Sequence, residues 1–220
     1  MLNRIGIMGS CPLITKVIFI TAGTSWTVPA DWNSLSNTIE CIGCGDPSNH
    51  NGGCYANITN LSLTAGNSVS YQIGVGGGSI GSGSSSANTW FKSISTVLAA
   101  GAATSTSNCV GSLIYAGGGG SGSAGGAAGP SGAGKSGSGS AGGAGDNGNG
   151  GVGGSGSGIA GAAGAEYTAT NTWNGTAYTN TTPTGGSGGG GGSGGGQGGL
   201  YGGAGGSGTP GLIVVSYIVR

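Results

Sequence analysis

Polar and apolar positions alternate with a period of two in short runs along much of this chain, and turn residues separate the runs. In SVSYQIGVG, Val69, Tyr71, Ile73 and Val75 fall on one side of a strand, with Ser68, Ser70, Gln72 and Gly74 on the other. The stretch YANITNLSL precedes it across TAGN, which predicts a hairpin with its turn at 64–67. Further strands are predicted at 17–21, in a short run ending at Pro29, at 37–43, within 89–100 and at 111–117. The closing GLIVVSYIVR is dense in β-branched residues and is the strongest strand signal in the chain. The pattern up to about residue 116 is that of a half-buried antiparallel sheet, which the terminal strand at 209–220 would complete.

Between them the periodicity disappears. Residues 117–165 and 185–208 are nearly all Gly, Ser and Ala. Of the 220 residues 59 are Gly, about a quarter where 7% is usual, so this tract dominates the composition. One reading is a flexible linker or low-complexity segment. The other is order: the tract leaves a sheet and returns to it, so both ends are held. A glycine-rich chain can adopt the extended helix with three residues per turn and pack against copies of itself through backbone hydrogen bonds. Runs of about 9 to 12 residues would make rods roughly 30 Å long. The expected fold is therefore all-β, a small antiparallel β-domain with an inserted glycine-rich bundle of extended polyglycine-type helices. Its parts are an attachment segment at 1–16, the β-domain at 17–116 with 209–220, and the bundle at 117–208 interrupted by a loop at 166–184.

Charge narrows the partners. Five basic and five acidic residues leave no net charge, so neither nucleic acid nor an anionic membrane surface has an electrostatic hold on the chain. The first 23 residues carry Arg4, Pro12 and Lys16 and never reach the roughly 18 uninterrupted apolar residues of a membrane span. No small-residue cleavage site follows, and VIFI reads as a first strand, so export by the general secretory route is not expected.

Two motifs suggest chemistry. Residues 129–136, GPSGAGKS, match the phosphate-cradling loop of nucleotide-binding proteins, which requires a buried strand before it and a helix after it. GGGGSGSAGGAA upstream and GSGSAGGAGDNG downstream can supply neither. No nucleotide is expected, and Lys135 is read as a solvent-exposed side chain. The second motif is CIGCGDPSNHNGGC, where Cys41, Cys44, His50 and Cys54 form a ligand set similar to a zinc knuckle with His50 one residue late. Zinc, a Cys44–Cys54 bridge and free thiols all remain open, zinc being the weaker alternative. Five cysteines are too few and too irregular for a disulfide scaffold. One His, three Asp and two Glu give little from which to build a nucleophile, base and orienter, so neither an enzyme nor a cofactor is expected.

The stretches FITAGTSWTVPADWNSLSNTIECIG and YANITNLSLTAGNSVSYQIGVGGGS, the TWF at 89–91, the GGxGG runs and GTPGLIVVSYIV together resemble the glycine-rich domain proteins found among bacteriophage tail fibre and tail adhesin components. The similarity runs in order from about residue 17 to the end, except that CGDPSNHNGGC stands where that family has an all-glycine tract. It implies a β-domain carrying a sandwich of polyglycine-type helices in a virion, with other virion proteins as partners, and homo-oligomerisation left open. In the adhesin members the loops between glycine runs are the receptor-contacting tips, for a cell-surface protein or glycan of the host. The matching feature here is 166–184, with Tyr167, Asn171, Trp173, Asn174 and Tyr178 as the receptor-binding residues. Aromatic rings stack and amides hydrogen-bond, as a binding tip requires. The competing reading is that the three aromatics pack on one another or on a neighbouring subunit. A structural virion component without receptor binding is the alternative function, and an ice-binding antifreeze bundle a third.

Overall fold

The computed structural model describes residues 12–76, 85–205 and 207–219. The described residues form thirteen strands: β1 (Ile14–Ile20), β2 (Ser25–Thr27), β3 (Asn37–Ile42), β4 (Tyr55–Thr59), β5 (Ser68–Gln72), β6 (Thr89–Phe91), β7 (Val97–Ala99), β8 (Leu113–Tyr115), β9 (Tyr167–Thr168), β10 (Asn171–Trp173), β11 (Tyr178–Thr179), β12 (Thr184–Gly185) and β13 (Leu212–Val219). No α-helix occurs among the described residues, so the protein is all-β. Ile14, Thr15 and Lys16, which the sequence places in an attachment segment, lie in β1; residues 1–11 of that segment lie outside the described residues.

A seven-stranded sheet runs in the order β11-β10-β1-β13-β3-β4-β8, and a four-stranded sheet in the order β2-β5-β6-β7. The large sheet is mixed, because β10 pairs with β1 in parallel while every other pairing in it is antiparallel. The terminal strand β13 sits near its centre, between β1 and β3. Alternation along β13 explains the unbroken apolar run. Ile213, Val215 and Tyr217 face the four-stranded sheet, where they meet Trp26, Tyr71 and Phe91 in one core. Leu212 and Val214 face the other way, with Phe19, Ile42 and Tyr55, against Ala127, Ala128 and Ala169. The centre of the large sheet, at β13 and β3, is thus buried on both faces rather than half-buried, and a strand covered on two sides has no polar face to show.

The hairpin predicted across 64–67 is not formed. The turn itself exists, with Gly66 at φ +81° and the Asn67 N–H donating to Thr64 O at 3.1 Å. It connects two sheets instead of two neighbouring strands: β4 pairs with β3 and β8, and β5 with β2 and β6. Alternation does hold across β5, where Val69 and Tyr71 are buried and Ser68 and Ser70 exposed. Period-two alternation reports which face is apolar and is silent about which strand lies alongside. The run at 89–100 divides into β6 and β7, which pair with each other.

The glycine-rich tracts are ordered by lateral backbone hydrogen bonds. From Ala124 to Ala128 successive N–H groups donate to Gly191 O (3.0 Å), His50 O (2.8 Å), Lys135 O (3.0 Å), Gly188 O (2.9 Å) and Gly53 O (2.9 Å). From Gly188 to Gly192 they donate to Tyr201 O, Ala162 O, Gly143 O, Ala204 O and Ile159 O, between 2.7 and 3.0 Å. Gly190 shows why glycine is required, because a Cβ there would lie 2.1 Å from Ala124 O.

Candidate functional site

The segment 166–184 is less of a free loop than its composition suggests. Its strand β10 adds to the edge of β1, with Ile18 opposite Asn171 and Ile20 opposite Trp173, and β11 folds back on β10. Trp173 is consequently only 7% exposed, and its indole N–H donates to Ser25 O at 3.0 Å. Tyr167 turns to the opposite face of the sheet. Its ring meets Phe19 edge-on at 6.5 Å, and its hydroxyl donates to Glu40 Oε1 at 2.7 Å. Tyr55 donates to the same oxygen at 2.5 Å. Burial raises the Glu40 carboxyl above its ordinary 4.5, the two tyrosine hydroxyls counteract this, and Asp146 adds to the rise. Of the five residues singled out, these two are therefore held inward.

The other three remain near solvent. Tyr178 is 39% exposed and packs its ring on Trp173 at 4.9 Å, so two of the three aromatics do pack on one another. Its hydroxyl lies 3.4 Å from Thr27 O, and burial pushes its pKa up to about 12. Asn174 uses its side-chain oxygen within its own turn, accepting from the N–H groups of Thr176 and Ala177, each at 3.0 Å. Asn171 is half-buried and lines a cleft of about 200 Å³ with Lys16, Ile18, Pro29, Tyr178 and Tyr217.

Sequence reasoning found only Asn171 and Tyr178 of the six residues that line this cleft. Tyr217 donates its hydroxyl to Asp31 Oδ1 at 3.0 Å, and Lys16 forms an ion pair with the same carboxylate. Burial opposes ionisation of Asp31, but Lys16 and the Tyr217 hydroxyl prevail and hold it below 3.8. Two phenol rings, an amide and an ion pair thus converge from β1, β10, β11, β13 and the turn after β2. The β1–β13 pairing sets Lys16 opposite Tyr217, the parallel pairing of β10 with β1 adds Asn171 and Tyr178, and no local signal announces that parallel pairing.

The cysteine and histidine loop does not assemble a ligand set. Cys41 points into the core between the sheets, Cys44 lies buried where a Gly101 Cβ would stand 2.7 Å from its sulfur, and His50 is at the loop tip with φ +59°. Cys54 instead faces Cys109. No group of three or more His, Cys, Asp or Glu side chains placed to hold a metal ion occurs among the described residues. The loop's backbone joins the glycine-rich network, Gly52 N–H donating to Gly118 O and Gly53 N–H to Gly202 O, both at 2.9 Å. Asp46 closes its tip by accepting from the N–H groups of Ser48 at 2.8 Å and Asn49 at 3.1 Å.

At GPSGAGKS the chain forms a tight bridge between Gly129 and Gly132, with neither strand before it nor helix after it, and Lys135 is exposed. The N–H of Lys135 donates to Ala144 O and its carbonyl accepts from Gly126, which makes it one more rung of the glycine-rich network. No protein-family model matches the chain, and no curated protein matches it.

Proposed function

We propose that the chain is a bacteriophage tail-fibre tip protein that binds the host surface and catalyses no reaction. Its β-sandwich carries a bundle of polyglycine-type extended helices, and segment 166–184 presents the contact residues. One observation carries this reading. A helix with three residues per turn aims successive N–H groups about 120° apart, so every third one meets the same neighbour. Residues 124 and 127 donate to the 188–191 stretch, 125 and 128 to the 50–53 stretch, and 126 to a third. Residues 188 and 191 likewise share one neighbour, 189 and 192 another, and 190 has its own. Such a bundle supports the virion reading because it is a stiff scaffold whose interior offers almost no side chains. Specificity then has to sit where glycine gives way to other residues.

The cleft beside Tyr178 favours a glycan over a protein as the host ligand. Tyr178, 39% exposed, offers a ring face for sugar C–H groups, while Asn171, Asp31 and Lys16 offer both donors and acceptors for hydroxyls. The test is competition: recombinant protein should block adsorption of the particles to susceptible cells, and Asn171→Ala with Tyr178→Ala should abolish the block. Trp173 is unsuitable for this purpose because it is buried. Full competition by the doubly substituted protein would defeat the assignment of the loop.

A second reading, a structural fibre or capsid component that contacts only other virion proteins, is favoured by the inward packing of Tyr167 and Trp173. Immunogold labelling of intact particles separates the two. Gold at the tail tip supports host binding, and gold along a shaft or on the capsid supports the structural role.

A further inference from the structure

Four cysteines among the described residues are free thiols, and their surroundings differ sharply. We infer that Cys54 and Cys109 form a redox-active pair that closes to an intramolecular disulfide when the chain meets a small-molecule disulfide. The geometry centres on Ala100. The Cys54 N–H donates to Ala100 O at 2.9 Å, while the Ala100 N–H donates to Cys109 Sγ at 3.5 Å. One residue of the strand end therefore holds the backbone of one cysteine and the sulfur of the other, and Cys109 packs against the core cluster that contains Cys54. Neither Cys41 nor Cys44 has such a neighbour: the first is enclosed between the sheets, the second against Gly101.

The two thiols are suited to different parts in the exchange. Cys109 lies half-buried in a turn whose Ser105, Ser107 and Asn108 are exposed, so an oxidant can reach it. A hydrogen bond from the Cys54 thiol draws Cys109 below its usual 9.0, favouring the thiolate. Cys54 is fully buried, and the same contact together with burial keeps it protonated. The Cys109 thiolate attacks one sulfur of the external disulfide RSSR, forming a mixed disulfide and expelling RS⁻. The Cys54 thiol gives up its proton, and its sulfur attacks Cys109 Sγ, breaking the mixed disulfide and expelling the second RS⁻. Both thiolates leave as RSH. The net change oxidises two cysteine thiols to one disulfide and reduces RSSR to two thiols.

The link joins the start of β4 to the turn that follows β7, tying the β-sandwich at the point where the 51–54 stretch enters the glycine-rich network. A chain made in a reducing compartment stays open and closes the link on exposure to oxidising surroundings. The test uses the full-length native protein incubated with oxidised glutathione, then denatured, alkylated and digested with trypsin together with a protease that cleaves before Asp. These cuts place Cys54 alone on 46–92, Cys109 alone on 93–135, and Cys41 with Cys44 on 31–45. The expected result is a joined 46–92 and 93–135 species that dithiothreitol separates, with 31–45 fully alkylated. A Cys44–Cys54 link joining 31–45 to 46–92 would overturn the inference. So would glutathione adducts without joining, or all five thiols alkylated.

Discussion

Adding one methyl group at Gly190 measures whether the glycine-rich region is a close-packed bundle. The Cβ of Gly190→Ala would lie 2.1 Å from Ala124 O, 2.5 Å from Ala124 C and 2.8 Å from Gly125 C. All three are backbone atoms, so no side chain can rotate away. Ordinary contact begins at 3.4 Å, and the two stretches must therefore separate by about 1.3 Å. That breaks the bonds from Ala124 N–H to Gly191 O and from Ala127 N–H to Gly188 O, now 3.0 and 2.9 Å. Each is worth about 0.5–1.5 kcal/mol net, and overpacking adds about 1–3 kcal/mol. Alanine recovers about 0.4–1 kcal/mol through the unfolded chain, which leaves a loss of about 2–5 kcal/mol. Gly156→Ala is the control, because the nearest atom to its Cβ is Ile159 Cγ1 at 3.9 Å; it should stabilise by about 0.4–1 kcal/mol. Guanidinium unfolding followed by tryptophan fluorescence reads both. Equal midpoints for the two variants would show that the stretches do not touch, and the packing argument would collapse.

Trp173→Ala should cost about 3–5 kcal/mol because it empties a buried site, whereas Tyr178→Ala should cost less than half of that. The opposite order in the same denaturation assay would contradict the inward placement of Trp173. The folded-state pKa of Glu40 is raised above its unfolded value of 4.5, so its contribution to stability is complete below 4.5 and declines as pH rises through the folded value. Thermal midpoints should therefore rise as pH is lowered from 7 towards 4.5, and Glu40→Gln should flatten that rise; an unchanged slope in the variant would remove Glu40 as its source. Deleting residues 117–208 should leave an aggregating sheet, since it uncovers Phe19, Leu212 and Val214. A soluble monomer with native strand content would show that the sheet does not need the bundle.

The strands were legible in the sequence where alternation or β-branched density is local: β3, β5 and β13 fall where those signals lie. What was not legible is partnership. YANIT and SVSYQ are close in sequence and joined by a good turn, yet they belong to different sheets, because each fills a vacancy beside a strand from elsewhere in the chain. The segment 166–184 was legible as an interruption of the glycine tracts but not as a strand addition. In NTW only one of three residues is strongly apolar, and its strand exists because the edge of β1 offers unpaired backbone groups. The candidate cleft inherits that difficulty. Asn171 and Tyr178 stand out as polar and aromatic residues among Gly and Thr, while Lys16, Asp31 and Tyr217 read as ordinary strand and turn residues until the fold brings them alongside.

The ordering of the glycine-rich region poses the sharpest energetic question in this protein, since fixing each residue costs about 1–2 kcal/mol with little side-chain burial to offset it. The structure answers it by placing the region against an apolar surface that also needs covering. Ala127, Ala128 and Tyr201 of the glycine-rich tracts, with Tyr167 and Ala169 of the 166–184 segment, pack on Phe19, Ile42, Tyr55, Leu212 and Val214, so part of the region's order is secured by burial that belongs to the sheet. The stretch 124–128 then occupies a central position, bonding at once to 188–191, to 50–53 and to Lys135. Because 50–53 runs directly into β4, the network is anchored to the sheet through covalent continuity as well as through packing. Strands distant in sequence are in this way tied to the order of the glycine-rich region, and that region in turn covers the face of the sheet whose opposite side holds the main core. The two halves of the sequence that differ most in composition are each the condition for the other to fold.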